Sequence, residues 1–155
     1  FRKLMIMKVG LSPLNSDEES KLFEHVQVFL NILKNQKADF TNTFCFLMKK
    51  DFAGMDLLKD PSFVMWHKKW RDRLKLNNKP LNQSFVAMKE NNPQVIPRNF
   101  KVEEALDEAN KNLNLKSFND LLEVIKTPYD DKENITKYQL VPKTTHQEYK
   151  TFCGT

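Results

Sequence analysis

The chain has 155 residues and a net charge of +5, and 40% of its residues are hydrophobic while 29% are charged. A chain of this size and composition can bury the core of one domain without disulfide or metal staples, which excludes general disorder and a secreted disulfide scaffold. With only 3 glycines it has no glycine-rich phosphate loop, and no apolar stretch approaches the roughly 20 residues of a membrane span.

Six segments carry the spacing of amphipathic helices and no strand alternation persists, so the sequence predicts an all-α fold, a compact bundle of about six helices. The first predicted helix covers residues 17–34 and starts at a capping box formed by Ser16 and the acidic residues after it. Its expected buried face consists of Leu22, Phe23, Val26, Phe29, Leu30 and Leu33. A second, shorter helix follows Asp39.

The third predicted helix begins at Asp60 and Pro61, an N-cap followed by proline at the first helical position. Four large apolar residues then share one stripe, so we expect both tryptophans in the core. The stripe consists of Phe63, Trp66, Trp70 and Leu74. A weaker helix is predicted over 83–90.

Pro93 and Pro97 interrupt the helical pattern before Asn99, which we expect to cap the fifth helix. The inward-facing residues expected in the last two helices are Val102, Ala105, Leu106 and Ala109, then Phe118, Leu121, Leu122 and Ile125. From Thr127 onward the periodicity disappears. The predicted organisation is therefore a helical subdomain over 1–126 and an irregular tail over 127–155. Because the chain opens on Phe1 rather than methionine, we expect it to be a fragment.

Basic residues cluster on the third helix, in a pattern more typical of a solvated helix face than of a phosphate track. They are Lys68, Lys69, Arg71, Arg73 and Lys75. The histidines, at positions 25, 67 and 146, lack the spacing to cysteines that a zinc site needs. Asp130 and Asp131 can bind a divalent ion, but after Pro128 they are more typical of a turn. No residue is therefore assigned a catalytic, cofactor-binding or metal-binding role.

The two cysteines have different surroundings. Cys45 lies inside an apolar helix and is expected to be a small core residue. Cys153 lies between Phe152 and Gly154, where it is either an incidental tail residue or a thiol that solvent can reach. A nucleophilic cysteine–histidine pair, as in a hydrolase, is the weakest of the alternatives.

Arg98 stands directly before a predicted helix start, where the helix dipole repels a positive charge. We therefore expect its side chain to turn away and reach a carboxylate or carbonyl group elsewhere as a structural anchor. The functional alternative is that Arg98 holds a phosphate or carboxylate ligand.

Several segments together resemble the selenoprotein O family, in order along nearly the whole chain. The most specific are Ile96-Pro97-Arg98-Asn99 and Phe152-Cys153-Gly154-Thr155; the others are Lys8-Val9-Gly10-Leu11, Asp39-Phe40-Thr41 with Phe44, Trp70-Arg71 with Leu74, Asn92-Pro93, Val102-Glu103-Glu104-Ala105, Phe118 with Leu121-Leu122, Pro128-Tyr129 and Tyr149-Lys150-Thr151. The sequence departs from the family pattern at Val9, where leucine is usual, and at Phe100, where histidine or tyrosine is common.

The resemblance implies the C-terminal region of a protein adenylyltransferase, which moves AMP from ATP to Ser, Thr or Tyr hydroxyls on a kinase-like, or pseudokinase, fold. ATP and Mg or Mn are implied for the parent protein, with their ligands upstream, so none carries over to this chain. One residue does carry over, since Cys153 matches the family's terminal cysteine, which can form a redox bridge to the kinase-like domain. The resemblance thus implies a helical region that supports and redox-gates an upstream domain and is inactive alone.

The implied partners are the upstream kinase-like domain of the same chain and the parent's protein substrates, with no nucleic acid and no membrane. The implied location is the cytoplasm in a bacterium or the mitochondrion in a eukaryote. The alternative function is a stand-alone helical interaction module whose basic tryptophan helix contacts an acidic partner. Salt-sensitive binding by this chain alone would favour that alternative.

Overall fold

The computed structural model describes residues 1–49, 55–77, 80–133 and 135–141. Within these ranges it contains eight α-helices, one 3₁₀-helix and no strand, which confirms the all-α fold. The helices are α1 (Arg2–Lys8), α2 (Ser16–Asn35), α3 (Phe40–Leu47), the 3₁₀-helix (Asp56–Lys59), α4 (Pro61–Lys75), α5 (Leu81–Asn91), α6 (Asn99–Asn112), α7 (Lys116–Lys126) and α8 (Thr136–Gln139). The six predicted helices correspond to α2 through α7, and α1 and α8 are additional.

Two helix starts differ from the prediction by one residue. The N-cap of α2 is Asn15 rather than Ser16, because the Asn15 side chain accepts a hydrogen bond from the Glu18 backbone N–H at 2.9 Å. Asn99 is the first residue of α6 rather than its cap, and the extended N-cap position belongs to Arg98, whose side chain makes no capping bond. The first difference arises because asparagine and serine are equally good caps, so spacing alone does not choose between neighbours. The second is a shift of one residue at a helix end whose N-cap makes no side-chain capping bond.

Helices α1 to α5 and the 3₁₀-helix pack around one large apolar core, and we call them the five-helix unit. Trp66 and Trp70 lie in this core with exposed fractions of 2% and 1%, which confirms the predicted stripe. Each indole N–H finds a backbone acceptor: Trp66 donates to the carbonyl of His25 at 2.9 Å and Trp70 to that of Val9 at 2.8 Å. The core therefore ties α4 to both α2 and the end of α1.

Glycine is required at the turn that ends α1. Gly10 has a φ of +72°, and a Cβ there would lie 2.8 Å from the Met88 sulfur. Its carbonyl accepts a hydrogen bond from the Asn77 side chain at 2.9 Å. The turn thus brings α1 into close contact with α5.

Helices α6 and α7 pair as a hairpin, and α8 packs on it. The hairpin core is small: its buried residues are Val95, Ala105, Leu121 and Tyr138. Three residues expected to face inward are instead substantially exposed, namely Leu106, Phe118 and Leu122. Periodicity predicted the apolar side of each helix but not how much of that side another helix covers.

The tail over 127–155 was expected to be irregular, and part of it is ordered. α8 forms within it and buries Tyr138 to an exposed fraction of 7%. A helix of four residues is too short to show periodicity in the sequence. Residues 142–155 lie outside the described ranges. Among the helices that the structure describes, none combines the length and apolarity needed to cross a bilayer.

Candidate functional site

Arg98 joins the hairpin to the five-helix unit. Its guanidinium donates two parallel hydrogen bonds to the Asp39 carboxylate, at 2.8 and 2.9 Å, and a third, at 3.3 Å, to the Asn42 side-chain oxygen. The side chains of Arg98 and Asp39 are only 11% and 23% exposed. We call Asp39, Asn42 and Arg98 the Arg98 junction. Fork-shaped pairing of this kind fixes orientation as well as distance.

Asp39 both binds Arg98 and caps the start of α3. It is the N-cap of α3, and its side chain also accepts a hydrogen bond from the Asn42 backbone N–H at 2.8 Å. Burial alone would raise the pKa of Asp39, but the hydrogen bonds from Arg98 and Asn42 and the charge of Arg98 together hold that pKa below its usual value. The carboxylate therefore stays ionised at neutral pH and remains paired.

The junction leaves Arg98 little capacity for a ligand. Both terminal nitrogens of its guanidinium already donate to Asp39, and the remaining Nε is buried without a hydrogen-bond partner among the described residues. The end-on face of the guanidinium, formed by its two terminal nitrogens, is occupied by the Asp39 carboxylate. These contacts join α3 to the start of α6.

Further polar contacts extend from this junction to α8. The Asn42 side-chain N–H donates to the Gln139 carbonyl at 2.7 Å, and the Gln139 side chain donates to the Gln94 carbonyl at 2.7 Å. The backbone N–H of Gln94 in turn donates to the Pro128 carbonyl at 2.6 Å. The proline segment, the end of α7 and α8 are therefore all connected to α3.

A second buried polar contact lies between α1 and α5. The Asn92 side chain, 1% exposed, donates to the carbonyls of Lys8 and Met88 at 2.8 Å each. The Lys8 ammonium donates back to the Asn91 carbonyl at 2.6 Å. Burial lowers the pKa of Lys8. In the sequence, Asn92 had no individual role: it belonged to the Asn92-Pro93 pair of the family resemblance and to the proline-containing segment.

Cys45 is a buried thiol, as expected. It is 5% exposed and donates to the Pro93 carbonyl across 3.3 Å. Burial raises its pKa to about 11, so it is protonated at neutral pH and a poor nucleophile. Cys153, the predicted redox residue, and His146 lie outside the described residues.

Two histidines pack against the aromatic core. The His25 ring stacks on Trp66 with centroids 5.2 Å apart, and the His67 ring lies 5.2 Å from that of Trp70. Burial lowers the pKa of both, and the nearby Lys69 and Arg71, respectively, lower them further. These rings are therefore neutral packing groups at pH 7, and neither adjoins Cys45 in the contacts described.

The predicted carboxylate and basic clusters are surface features. The Asp131 carboxylate pairs with the Lys89 ammonium at 2.5 Å. The backbone N–H of Asp130 donates to the Thr127 carbonyl at 3.2 Å and so closes a turn. On α4, the basic residues Lys68, Lys69, Arg71 and Lys75 are exposed, whereas Arg73 pairs with Glu18. In the part of the chain that the structure describes, no three His, Cys, Asp or Glu side chains are placed to hold a metal ion.

Comparison with known proteins places these residues in a family. A sequence model described as protein adenylyltransferase SelO matches residues 1–126. Similar curated proteins are each named protein nucleotidyltransferase YdiU. That of Clostridium botulinum (strain Alaska E43 / Type E3) is 40% identical over 149 residues, covering 96% of this chain and 30% of that protein. That of Nitrosococcus oceani is 36% identical over 152 residues, covering 98% and 30%.

A third relative, from Alcanivorax borkumensis, is 33% identical over all 155 residues and is covered over 31% of its length. The chain thus spans about 30% of the length of the curated relatives it matches.

Proposed function

The chain belongs to the SelO family of protein adenylyltransferases, and we propose that it is the C-terminal helical region of a protein that transfers AMP from ATP to Ser, Thr or Tyr hydroxyls of other proteins. The observation that carries this proposal is the family match over residues 1–126, joined to relatives named nucleotidyltransferases that match almost the whole chain. Its substrates are proteins, and its principal partner is the kinase-like domain of the same longer protein.

The nucleotide chemistry belongs, in this proposal, to the part of the relatives' length that this chain does not cover. ATP and Mg or Mn would bind there. The described residues do not fit these groups: they offer no cluster for a metal ion, and the sequence has no glycine-rich phosphate loop. No step of the transfer is therefore assigned to a residue of this chain.

The role of this chain would be mechanical support for the catalytic domain. Its helices present a fixed surface because the five-helix unit has a continuous aromatic core and the Arg98 junction fixes the hairpin on it. Precise positioning matters for phosphoryl-type chemistry, since misplacing a group by about 1 Å can cost a hundredfold in rate. The contribution of the helices to catalysis would be indirect.

Cys153 would add redox control. A peroxide would oxidise Cys153 and a cysteine of the preceding domain to a disulfide, accepting two electrons and the two thiol protons and leaving as water. Cys45 is a poor candidate for this reaction, because it is buried and its pKa is about 11. The pairing partner therefore lies outside this chain in the proposal.

The test compares the longer protein with the 155-residue chain. Each is incubated with labelled ATP, Mg or Mn and protein substrates, and label on protein is measured. We expect transfer by the longer protein and none by this chain. Transfer of label by this chain alone would refute the proposal that AMP transfer belongs to the part of the longer protein outside this chain. The Cys153→Ser variant of the longer protein should lose its response to peroxide and reductant, and an unchanged response would refute redox control.

A second candidate function rests on the exposed basic side chains of α4. Lys68, Lys69 and Arg71 can meet an acidic protein, although the tryptophans of that helix are buried and unavailable to a partner. Binding of an acidic protein that weakens steeply with salt, and is lost in Lys68→Ala with Lys69→Ala, would favour this interaction module.

A further inference from the structure

Helix α1 is apolar on two sides. One side, with Met5 and Ile6, is buried in the core that α1 shares with α2 and α5. The other side carries Phe1, Leu4 and Met7, which follow each other three positions apart and are 85%, 47% and 42% exposed. We call these three residues the α1 outer stripe. Apolar residues on both sides are typical of a helix buried between two layers, and the five-helix unit supplies only one of them.

The charged residues of α1 are all basic. Arg2 lies over the Phe23 ring at 5.4 Å, and the Lys8 ammonium donates to the Asn91 carbonyl. Lys3 is exposed and lies one turn before Met7, at the edge of the stripe. A surface that complements the stripe is therefore apolar at its centre and acidic beside Lys3.

We propose that the α1 outer stripe docks on the kinase-like domain that precedes it in the longer protein. This inference rests on the proposed function, which places that domain before Phe1. The chain spans 30% of the length of its curated relatives, so most of the longer protein lies outside it. Because the stripe begins at Phe1, the preceding domain is joined to it covalently and has a high effective concentration there.

The charge of α1 argues against a second copy of the chain as the occupant. In a two-fold pair the stripe would face a copy of itself. The charged side chains of both helices would then be basic, since α1 has no acidic residue. Like charges across an interface oppose association, whereas a different surface can supply the acidic residues.

Methionine oxidation by peroxide, measured by mass spectrometry, tests the docking, because Met7 belongs to the stripe. In the 155-residue chain Met7 should react at a rate near that of Met65, which is 58% exposed on α4, and faster than Met5, which is 4% exposed. In the longer protein Met7 should react at least about tenfold more slowly, since reaction then requires the contact to open. Met65 is the matched control and should react at a similar rate in both. Both chains carry Cys153→Ser, which keeps the proposed redox response out of the comparison.

Two results would overturn the proposal. One is protection of Met7 in the longer protein that is no greater than that of Met65. The other is protection of Met7 already in the 155-residue chain that is lost on dilution, which would assign the stripe to a second copy. AMP transfer by a longer protein with unprotected Met7 would refute the docking alone, and protection without transfer would refute the proposed activity alone.

A charge at the centre of the stripe should release the contact. In the longer protein, Leu4→Glu should return the oxidation of Met7 to its rate in the 155-residue chain. In the 155-residue chain, Leu4→Glu should leave the urea midpoint nearly unchanged, because Leu4 is already 47% exposed there. Val64→Glu is the matched control, since Val64 is also 47% exposed, on α4, and should leave Met7 protected.

The smaller change Leu4→Ala should give partial loss of protection and serves if the longer protein with Leu4→Glu does not fold, which circular dichroism reveals. Full protection of Met7 in a folded longer protein that carries either substitution would overturn the proposal.

Discussion

The five-helix unit and the hairpin differ in how much apolar surface each one buries. The unit encloses large side chains almost completely, among them Phe29, Phe44 and Phe63 at 1% exposure or less. The hairpin buries an alanine, a leucine and parts of α8 and the proline segment, while Leu106 remains 45% exposed. Because apolar burial contributes about 25 cal/mol per Å², most of the stabilisation belongs to the unit.

The difference implies two levels of stability within one chain. The five-helix unit has its own core, whereas the hairpin depends on its polar connection through Arg98 and Gln139. Local opening in proteins occurs in contiguous units and at lower free energy where few apolar contacts are buried. We therefore expect the hairpin to open before the unit unfolds, and the following predictions test that order.

The largest expected effect belongs to Trp70. Replacing it with alanine removes a side chain that is 1% exposed and leaves the Val9 carbonyl without its hydrogen-bond donor. We expect Trp70→Ala to lower the free energy of unfolding by about 3–5 kcal/mol, measured by urea denaturation. Val64→Ala on the exposed side of the same helix should change little. A Trp70→Ala chain as stable as the unmodified one would show that this core does not carry the fold.

Leu121 is the corresponding residue of the hairpin. It is 5% exposed, and Leu121→Ala should cost about 2–3 kcal/mol, the low end for such changes because the surrounding core is small. The loss should appear as faster hydrogen exchange in α6 and α7 and leave exchange in α2 and α4 unchanged. Leu122→Ala is the matched control, since Leu122 is 36% exposed. Equal acceleration in both regions would mean that the chain unfolds as one unit.

Arg98 tests the connection between the two regions. Arg98→Ala removes three hydrogen bonds to Asp39 and Asn42, and we expect a cost of about 1–2 kcal/mol, because both charged side chains keep some exposure. Arg98→Lys should recover little, since an ammonium cannot form the two-pronged contact. Exchange in the hairpin should accelerate more than in the five-helix unit. The exposed Arg71→Ala serves as the control.

Much of the five-helix unit can be predicted from the sequence, because its helices are marked by residues close together in the chain. Trp66, Trp70 and their stripe follow from helical spacing, and Asp60 with Pro61 marks the helix start. The Gly10 turn has no such helical signature, because its φ of +72° and its close approach to Met88, far along the sequence, appear only in the structure. Helical spacing identifies the apolar face of a helix, but only the packed structure shows how much of that face another element covers.

The Arg98 junction shows more clearly that one sequence does not reveal which distant residues meet. The position of Arg98 before a helix predicted that it would seek an acceptor, but its partner Asp39 lies 59 positions away. Asp39 appeared in the sequence as a residue preceding a helix and as part of one family-resemblance segment, with no sign of a contact to Arg98. Pairings over such distances depend on tertiary placement, and one sequence does not contain that information.

The smallest expected effect is the pH dependence of the Arg98 junction. The pKa of Asp39 is lowered below its usual value of 3.8 in the fold, so the unfolded chain binds this proton more readily. The stabilisation is therefore present above about pH 4 and is lost as the pH falls through the folded pKa. Asp39→Asn removes the charge and keeps a good N-cap residue. The stability gap between the unmodified chain and Asp39→Asn, measured by urea denaturation, should stay constant from about pH 7 to pH 5 and shrink towards about pH 3. A gap that is unchanged at low pH would show that the junction does not depend on the ionised carboxylate.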